Sequence, residues 1–258
     1  MKRVDETVTI QENSRINGKY YKLVFKSGRL ARGVQAGQFL HVQIRPEAVD
    51  PFLRRPFSYY RIQKDRIEVL YEVLGRGTEL LAELGSGSRL KIMGPLGKAF
   101  TRKVKGRKRV LVAGGVGVPP LVFLAEKNPV DYLLIGTKSK AEVLPKNELS
   151  KVSAKILHAT NDGSYGTRGF VTALLEKIIQ KEGAERLYIQ TCGPTPMMNA
   201  VMDIARREGI PGEASMEESM ACGVGACLGC MVKTPQGWVA SCIEGPVFPF
   251  NDLVRTCA

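Results

Sequence analysis

The most constraining stretch of this chain lies near its C-terminal end. It reads Cys222-Gly223-Val224-Gly225-Ala226-Cys227-Leu228-Gly229-Cys230, and Cys242 follows twelve residues later. The spacing is Cys-x4-Cys-x2-Cys plus a fourth Cys. Four thiolates satisfy the ligand count of a [2Fe–2S] cluster, and the spacing is that of plant-type ferredoxins. Three ligands from one short loop force the backbone tightly round an inorganic core. Gly223, Gly225 and Gly229 are expected to supply the positive φ this needs, with bare N–H groups turned toward sulfur. Structural zinc generally takes two separated Cys-x2-Cys knuckles, and one such pair is present here. Disulfides would need an oxidising compartment. The metal ligands expected are therefore Cys222, Cys227, Cys230 and Cys242, with Cys257 a free thiol.

A chain of 258 residues has room for about two domains and a third small module. Residues 1–6 lead into polar sequence without the apolar run of a signal peptide, and no stretch approaches eighteen consecutive apolar residues. The expectation is a cytoplasmic protein whose cysteines bind metal. The net charge of +13 raises nucleic acid or an acidic membrane as partners. Residues 213–258 carry −3 (Lys233 and Arg255 against five carboxylates), which leaves +16 on residues 1–212. The densest basic run, residues 102–109, has no interleaved aromatics and reads as a solvated domain junction rather than a nucleic-acid groove.

Residues 1–105 read as an antiparallel β-barrel. Apolar or alternating runs recur at Thr7–Ile10, Tyr20–Phe25, Phe39–Ile44, Phe57–Tyr60, Ile67–Val73 and Arg89–Met93, with a helix at Thr78–Leu84 that Thr78 is placed to cap. Arg55-Pro56-Phe57-Ser58 can offer a charge to a pyrophosphate and a hydroxyl to a ring, and Gly77-Thr78 can offer backbone N–H groups to a phosphate. Taken singly, each is as readily an edge strand or a turn. Residues 106–212 alternate strand and helix, with strands at Arg109–Ala113, Tyr132–Gly136, Lys155–Ala159 and Arg186–Thr191. Helices fit Leu121–Lys127, Gly169–Lys181 and Pro194–Glu208, so a parallel sheet is predicted. Gly114-Gly115-Val116-Gly117 lies in the first strand–helix turn, where a dinucleotide pyrophosphate docks, although Pro120 stands where a third Gly would be. Cys192-Gly193-Pro194 ends the fourth strand at the carboxyl edge; Cys192 is either a small buried side chain or a thiol lining a nicotinamide pocket. Residues 213–258 form the cluster module, with strands at Met231–Lys233 and Trp238–Ala240, and Trp238 is either cluster shield or core.

Together these residues carry a family signature. Arg55-Pro56-Phe57-Ser58, Gly77-Thr78, Gly114-Gly115-Val116-Gly117 with Pro120, and Cys192-Gly193-Pro194 resemble the ferredoxin–NADP reductase superfamily. The C-terminal cysteine loop, with Cys242-Ile243-Glu244-Gly245-Pro246-Val247-Phe248, narrows the resemblance to electron-transfer subunits of class B, NAD-dependent dihydroorotate dehydrogenases. The resemblance covers nearly the whole chain. It implies FAD on Arg55, Pro56, Phe57 and Ser58, with Tyr71, Glu72 and Val73 flanking the flavin and Gly77 and Thr78 on the phosphates. It implies NAD on Gly114, Gly115 and Gly117, with Cys192 and Gly193 by the nicotinamide. It also implies an FMN-containing catalytic partner that oxidises dihydroorotate, in a heterotetramer with two of each subunit. Electrons would pass from FMN through the cluster and FAD to NAD⁺ in pyrimidine biosynthesis.

Two other readings stand beside this one. The chain is alternatively the FAD/[2Fe–2S] reductase subunit of a hydrogenase, sulfide dehydrogenase or transhydrogenase; transhydrogenase-type relatives are expected to carry Asp where Cys222 stands. From a different class, it is a basic nucleic-acid-binding module. Lys138-Ser139-Lys140 after the second strand could meet a 2′-phosphate, but no arginine clamp accompanies it.

Overall fold

In the computed structural model, residues 3–47 and 50–254 are described; Cys257 lies outside them. The N-terminal part is a seven-stranded antiparallel sheet curled into a half-barrel, in the order β4-β3-β7-β1-β2-β6-β5. Its strands are β1 (Val4–Arg15), β2 (Tyr20–Lys26), β3 (Phe39–Gln43), β4 (Arg55–Ser58), β5 (Arg61–Gln63), β6 (Arg66–Glu72) and β7 (Arg89–Leu96). β1 is three times as long as its apolar run because it serves two partners. Residues 4–9 pair with β7, and after an irregularity at Ile10–Glu12 the polar stretch to Arg15 pairs with β2. The run expected as one strand at Phe57–Tyr60 ends with β4 at Ser58, and Tyr59 and Tyr60 fall between β4 and β5. Tyr59 and Tyr60 are both fully buried, which breaks the inside–outside alternation of a strand. Each hydroxyl finds a carbonyl, Tyr59 that of Leu30 at 3.0 Å and Tyr60 that of Glu148 at 2.9 Å.

Two helices belong to this half. α1 (Gly28–Ala31) follows β2, with Ser27 Oγ accepting from the Leu30 amide at 3.0 Å. α2 (Arg76–Glu83) begins two residues before the expected start, so Thr78 is not its cap. From the third helical position its hydroxyl accepts the Leu74 and Gly75 amides at 2.9 and 3.2 Å.

The second half is a seven-stranded sheet in the order β11-β10-β9-β8-β12-β13-β16. Its strands are β8 (Lys108–Gly114), β9 (Tyr132–Thr137), β10 (Lys155–Thr160), β11 (Thr167–Arg168), β12 (Leu187–Cys192), β13 (Gly212–Ser215) and β16 (Val247–Pro249). All pairs are parallel except β13 with β16. α3 (Val118–Lys127), α4 (Val171–Glu182) and α5 (Thr195–Arg207) cover it, and the buried runs of β8 and β9 have the continuous apolar character of a two-sided parallel sheet. Pro119 falls in the first turn of α3, where its missing N–H removes no helical bond. The chain after residue 212 adds β13 and β16 to this sheet. Between them it forms the cysteine loop, the hairpin β14 (Met231–Thr234) and β15 (Gly237–Ala240), and the short helix α6 (Ser241–Glu244).

Buried charges join the two halves. Arg61 of β5 donates to Glu126 of α3 through Nε at 3.0 Å and Nη2 at 2.5 Å, and to Glu68 and Glu148 through Nη1 at 3.2 and 3.3 Å. Lys22 of β2 pairs with Glu148 at 2.8 Å. The basic run at 102–109 is only partly the solvated junction expected. Arg102, Lys103 and Lys105 are exposed, but Arg109 is buried and donates to the carbonyls of Arg102 at 2.7 Å and Pro129 at 3.2 Å. Among the described residues, no helix is long and apolar enough to cross a membrane.

Candidate functional site

The sheet order reverses direction at the adjacent strands β8 and β12, and the crevice outside their carboxyl ends is where open α/β sheets bind ligands. Two cavities open there. The first, about 490 Å³, lies between the half-barrel and the sheet. Its barrel wall brings together Arg55, Pro56, Phe57, Ser58, Tyr71, Glu72, Gly77 and Thr78, residues drawn from three separate sequence stretches. Val73, one residue beyond β6, is not part of that wall and packs against the barrel core. The aromatic floor is ordered. Tyr71 stacks on Tyr21 at 5.5 Å, meets Phe57 edge-on at 5.8 Å and donates its hydroxyl to Asn13 Oδ1 at 2.9 Å. A side chain on Gly77 would collide with the Arg55 guanidinium, so the bare turn opening α2 leaves that cation its place. A cation beside a helix N-terminus is a cradle for a diphosphate, and the volume suits a large cofactor.

Of the opposite wall, only Cys192 was picked out from the sequence. Val116 and Cys192 come from the two strand ends, and Ser215, Met216, Glu217, Glu218, Ser219 and Met220 line the cavity as the chain leaves β13. Burial pushes the Cys192 thiol up to about 12, with Glu217 adding to it, so this thiol stays protonated. Glu217 is also held above the ordinary carboxylate range by burial and by Glu72 and Glu218.

The second cavity, about 410 Å³, lies across the Gly115–Gly117 turn, with Gly114, Gly115, Thr137, Lys138, Asn161 and Pro194 among its walls. Lys19, Glu142 and Phe170 also line it. None of these three was picked out from sequence; the turn-forming cluster Asn161-Asp162-Gly163-Ser164 after β10 was the available signal. Gly114, Gly117, Cys192 and Gly193 converge where β8 meets β12. A Cβ on Gly117 would overlap the Cys192 backbone, and one on Gly193 would sit 2.8 Å from the Gly114 carbonyl. These glycines let the two strand ends close to backbone contact. Tyr20 of the barrel donates to the Gly115 carbonyl at 2.5 Å.

Cys222, Cys227 and Cys230 of the loop and Cys242 of α6 gather beyond Met220; the Cys222 thiol meets that of Cys227, and the Cys242 thiol meets that of Cys230. Among the described residues no group of three or more His, Cys, Asp or Glu side chains is assembled round a single metal ion. Paired thiols suit a two-iron cluster, which takes two ligands on each iron. Gly223 and Gly225 have φ of +69° and +82°, as expected, but the third left-handed residue is Leu228 (φ +56°) rather than Gly229. The chain reverses one residue earlier than the glycine spacing suggested. Cys222 Sγ accepts the amides of Val224 and Cys227, both at 3.4 Å. Burial alone would raise this thiol, but those amides outweigh it and bring it down to about 6. Cys242 is pushed up to about 12 by burial and by Cys230. Beneath the loop, Phe39 and Leu96 pack against Cys230 and Cys242. The buried Ser241 hydroxyl and both ring nitrogens of His41 have no protein partner, as befits neighbours of a group that accepts hydrogen bonds. Trp238 is 63% exposed and so is not a core residue.

A half-barrel joined to a parallel sheet, with cavities at their junction, defines the ferredoxin-reductase fold. Solved structures agree. The structure described as a "NADH-dependent reduced ferredoxin-NADP oxidoreductase" superposes with a TM-score of 0.83 at 22% identity over 96% of this chain and 90% of that one. A ferredoxin reductase in carbazole 1,9a-dioxygenase superposes at 0.70 with 18% identity over 81% and 67%. Residues 217–254 match the family model described as the iron-sulfur cluster binding domain of dihydroorotate dehydrogenase B. The "Dihydroorotate dehydrogenase B (NAD(+)), electron transfer subunit" of Desulforamulus reducens is 38% identical, over 91% of this chain and 92% of that protein. Its namesake in Clostridium acetobutylicum is 37% identical over 95% of both. The chain belongs to this family of electron transfer subunits.

Proposed function

We propose that this chain carries electrons from a dihydroorotate-oxidising catalytic subunit to NAD⁺. The observation that carries the reading is the shared wall. Residues 215–220 line the first cavity and run directly into Cys222, so the thiol set and the cavity are neighbours along one short segment. In this reading Arg55, Pro56, Phe57, Ser58, Tyr71, Glu72, Val73, Gly77 and Thr78 form the FAD site, with Val73 contributing through the core behind Tyr71. Gly114, Gly115, Gly117 and Gly193 hold NAD, with Cys192 at the reacting edge. Cys222, Cys227, Cys230 and Cys242 ligate a [2Fe–2S] cluster. FAD exchanges two electrons and can pass them as hydride, whereas the cluster carries one at a time, so the pair joins a two-electron carrier to a one-electron wire.

The chain's residues bind, orient and insulate. The Arg55 guanidinium and the α2 N-terminus neutralise diphosphate charge. Tyr71 and Phe57 exclude water from the ring side of the cavity. Cys192, protonated and small, lets a nicotinamide approach closely and takes no covalent part. The division into a flavin domain (1–105), a nicotinamide domain (106–212) and a cluster module (213–258) follows these roles, the last lending two strands to the second. The partner is an FMN-containing catalytic subunit, in a cytoplasmic heterotetramer with two of each chain.

The test is an anaerobic titration of cofactor-loaded protein with NADH. Two electrons on FAD and one on the cluster require about 1.5 equivalents to bleach both. Adding the catalytic subunit should then give dihydroorotate-dependent NAD⁺ reduction. A chromophore untouched by NADH overturns the reading.

A further inference from the structure

Strand β3 of the half-barrel runs directly beneath the cysteine loop. Phe39 and His41, two residues apart, turn to the same side of it. Phe39 packs with Leu96, Cys230 and Cys242. His41 lies against the loop itself, since a Cβ on Gly223 would sit 2.7 Å from His41 Nδ1. Gly223 follows Cys222 directly and has no side chain to stand between the ring and the thiol set. His41 is fully buried, yet neither ring nitrogen has a hydrogen-bond partner. The carbonyls of Met220, Arg54 and Cys222 approach the ring without reaching hydrogen-bond geometry. An unpartnered buried polar group is costly, and an aliphatic side chain would fill this space without that cost.

His41 Nδ1 is turned toward Gly223, the neighbour of Cys222, so an acceptor on the cysteine loop would satisfy it. We propose that His41 donates its N–H to the sulfur core held by Cys222, Cys227, Cys230 and Cys242, and thereby sets the reduction potential of the cluster. It is a positioning residue of the proposed cluster site and rests on the [2Fe–2S] reading above. A neutral imidazole carries one N–H. A hydrogen bond to cluster sulfur favours the more negative, reduced state, so the donor raises the potential. The step adds one electron to the cluster and neither makes nor breaks a covalent bond.

The chain has only two histidines, which makes the test clean. The other, His158, lies on β10 and packs edge-on against Tyr165 at 5.2 Å. The holoprotein, in complex with its catalytic subunit, is labelled with ¹⁵N-histidine, reduced, and examined by pulsed EPR. A histidine nitrogen coupled to the cluster is expected in the wild type and in His158→Leu, and absent in His41→Leu. An EPR-monitored redox titration of His41→Leu should show reduction disfavoured by about tenfold, which is about 59 mV for one electron. His41→Gln, which keeps an N–H, should fall between. If His41→Leu fails to assemble, the wild-type coupling alone decides. No histidine coupling in an iron-replete wild type, or an unchanged potential in an iron-replete His41→Leu, overturns the proposal. A wild type without iron and without a cluster signal overturns the cluster reading itself, and so tells the two failures apart.

Discussion

Arg61→Met is the most informative stability test, because Arg61 is the hub of the charge network between the two halves. Its side chain is 8% exposed, and those of Glu126, Glu148 and Glu68 are 5%, 5% and 6% exposed. Removing the guanidinium leaves Glu126 without its ion-pair partner. Glu148 keeps Lys22 at 2.8 Å, and Glu68 keeps Arg66 at 3.1 Å. Breaking a buried pair from one side costs about 3–5 kcal/mol, since a carboxylate is left uncompensated. At about 2–4 °C per kcal/mol for a chain of this size, Tm should fall by about 6–20 °C. Arg61→Met combined with Glu126→Met should be more stable than Arg61→Met alone, because no orphaned charge remains. The penalty also has a pH signature. Burial works to raise the Glu148 carboxyl, but Lys22, Tyr60 and Arg61 outweigh it and hold it below its ordinary value. A depressed carboxyl contributes stability above its unfolded pKa and loses it as pH falls through the folded value. The gap between wild type and Arg61→Met should therefore be widest near neutrality and narrow below about pH 4. Thermal unfolding of the holoprotein across pH measures this. A loss of under about 2 °C at pH 7 would mean that the pairs behave as exposed ones, worth about 0–1 kcal/mol.

Three further outcomes follow from the site. Gly77→Ala places a methyl against the Arg55 guanidinium; FAD affinity, measured by retained flavin absorbance on dilution, should fall about tenfold to a hundredfold as one charge-assisted contact is lost. Because alanine favours the helix, Tm of the flavin-free protein should not drop with it, and unchanged FAD retention would exclude the arrangement. Cys242→Ser should leave the preparation deficient in iron and lacking the cluster's visible absorbance while FAD is retained; full iron content would contradict the ligand assignment. In iron-free protein, alkylation mapped by mass spectrometry should mark Cys222 readily at pH 7, above its value of about 6, and spare Cys192, held near 12. Equal labelling of the two would refute the amide cradle round Cys222.

The sequence was most legible where chemistry dictates spacing. The cysteine loop, the glycine turn after β8 and the Arg55–Ser58 strand stand at the cavities or loop to which their residue types pointed. Periodicity located the α/β strands within a residue or two, because a parallel sheet buried on both faces writes itself as unbroken apolar runs. It failed where tertiary pairing overrode pattern. The polar half of β1 is a strand only because β2 lies beside it, and the reversal at Leu228 is imposed by the loop's closure rather than by glycine. Lys19, Glu217, Glu218 and His41 were invisible as site residues, since each is brought to its cavity or loop by an element whose local sequence says nothing of the neighbour it meets.

The placement of the cluster segment has a consequence for how transfer is controlled. Residues 213–258 read as an appended module, yet β13 is hydrogen-bonded to β12 and β16 returns to β13. The barrel holds the same segment from the other side. Lys98 donates its amide to the Gly245 carbonyl at 2.5 Å and pairs with Glu244 at 2.6 Å, and Thr101 donates its amide to the buried Glu213 at 3.0 Å. The loop that gathers the thiols is thus clamped between both larger bodies rather than tethered by a linker. Six residues separate Ser215, the last of β13, from Cys222, and most of them line the first cavity. The thiol set and that cavity are thus joined by a short segment anchored in the sheet at Ser215. Electron transfer within this chain therefore needs no docking motion, and tuning falls to the potential rather than to distance.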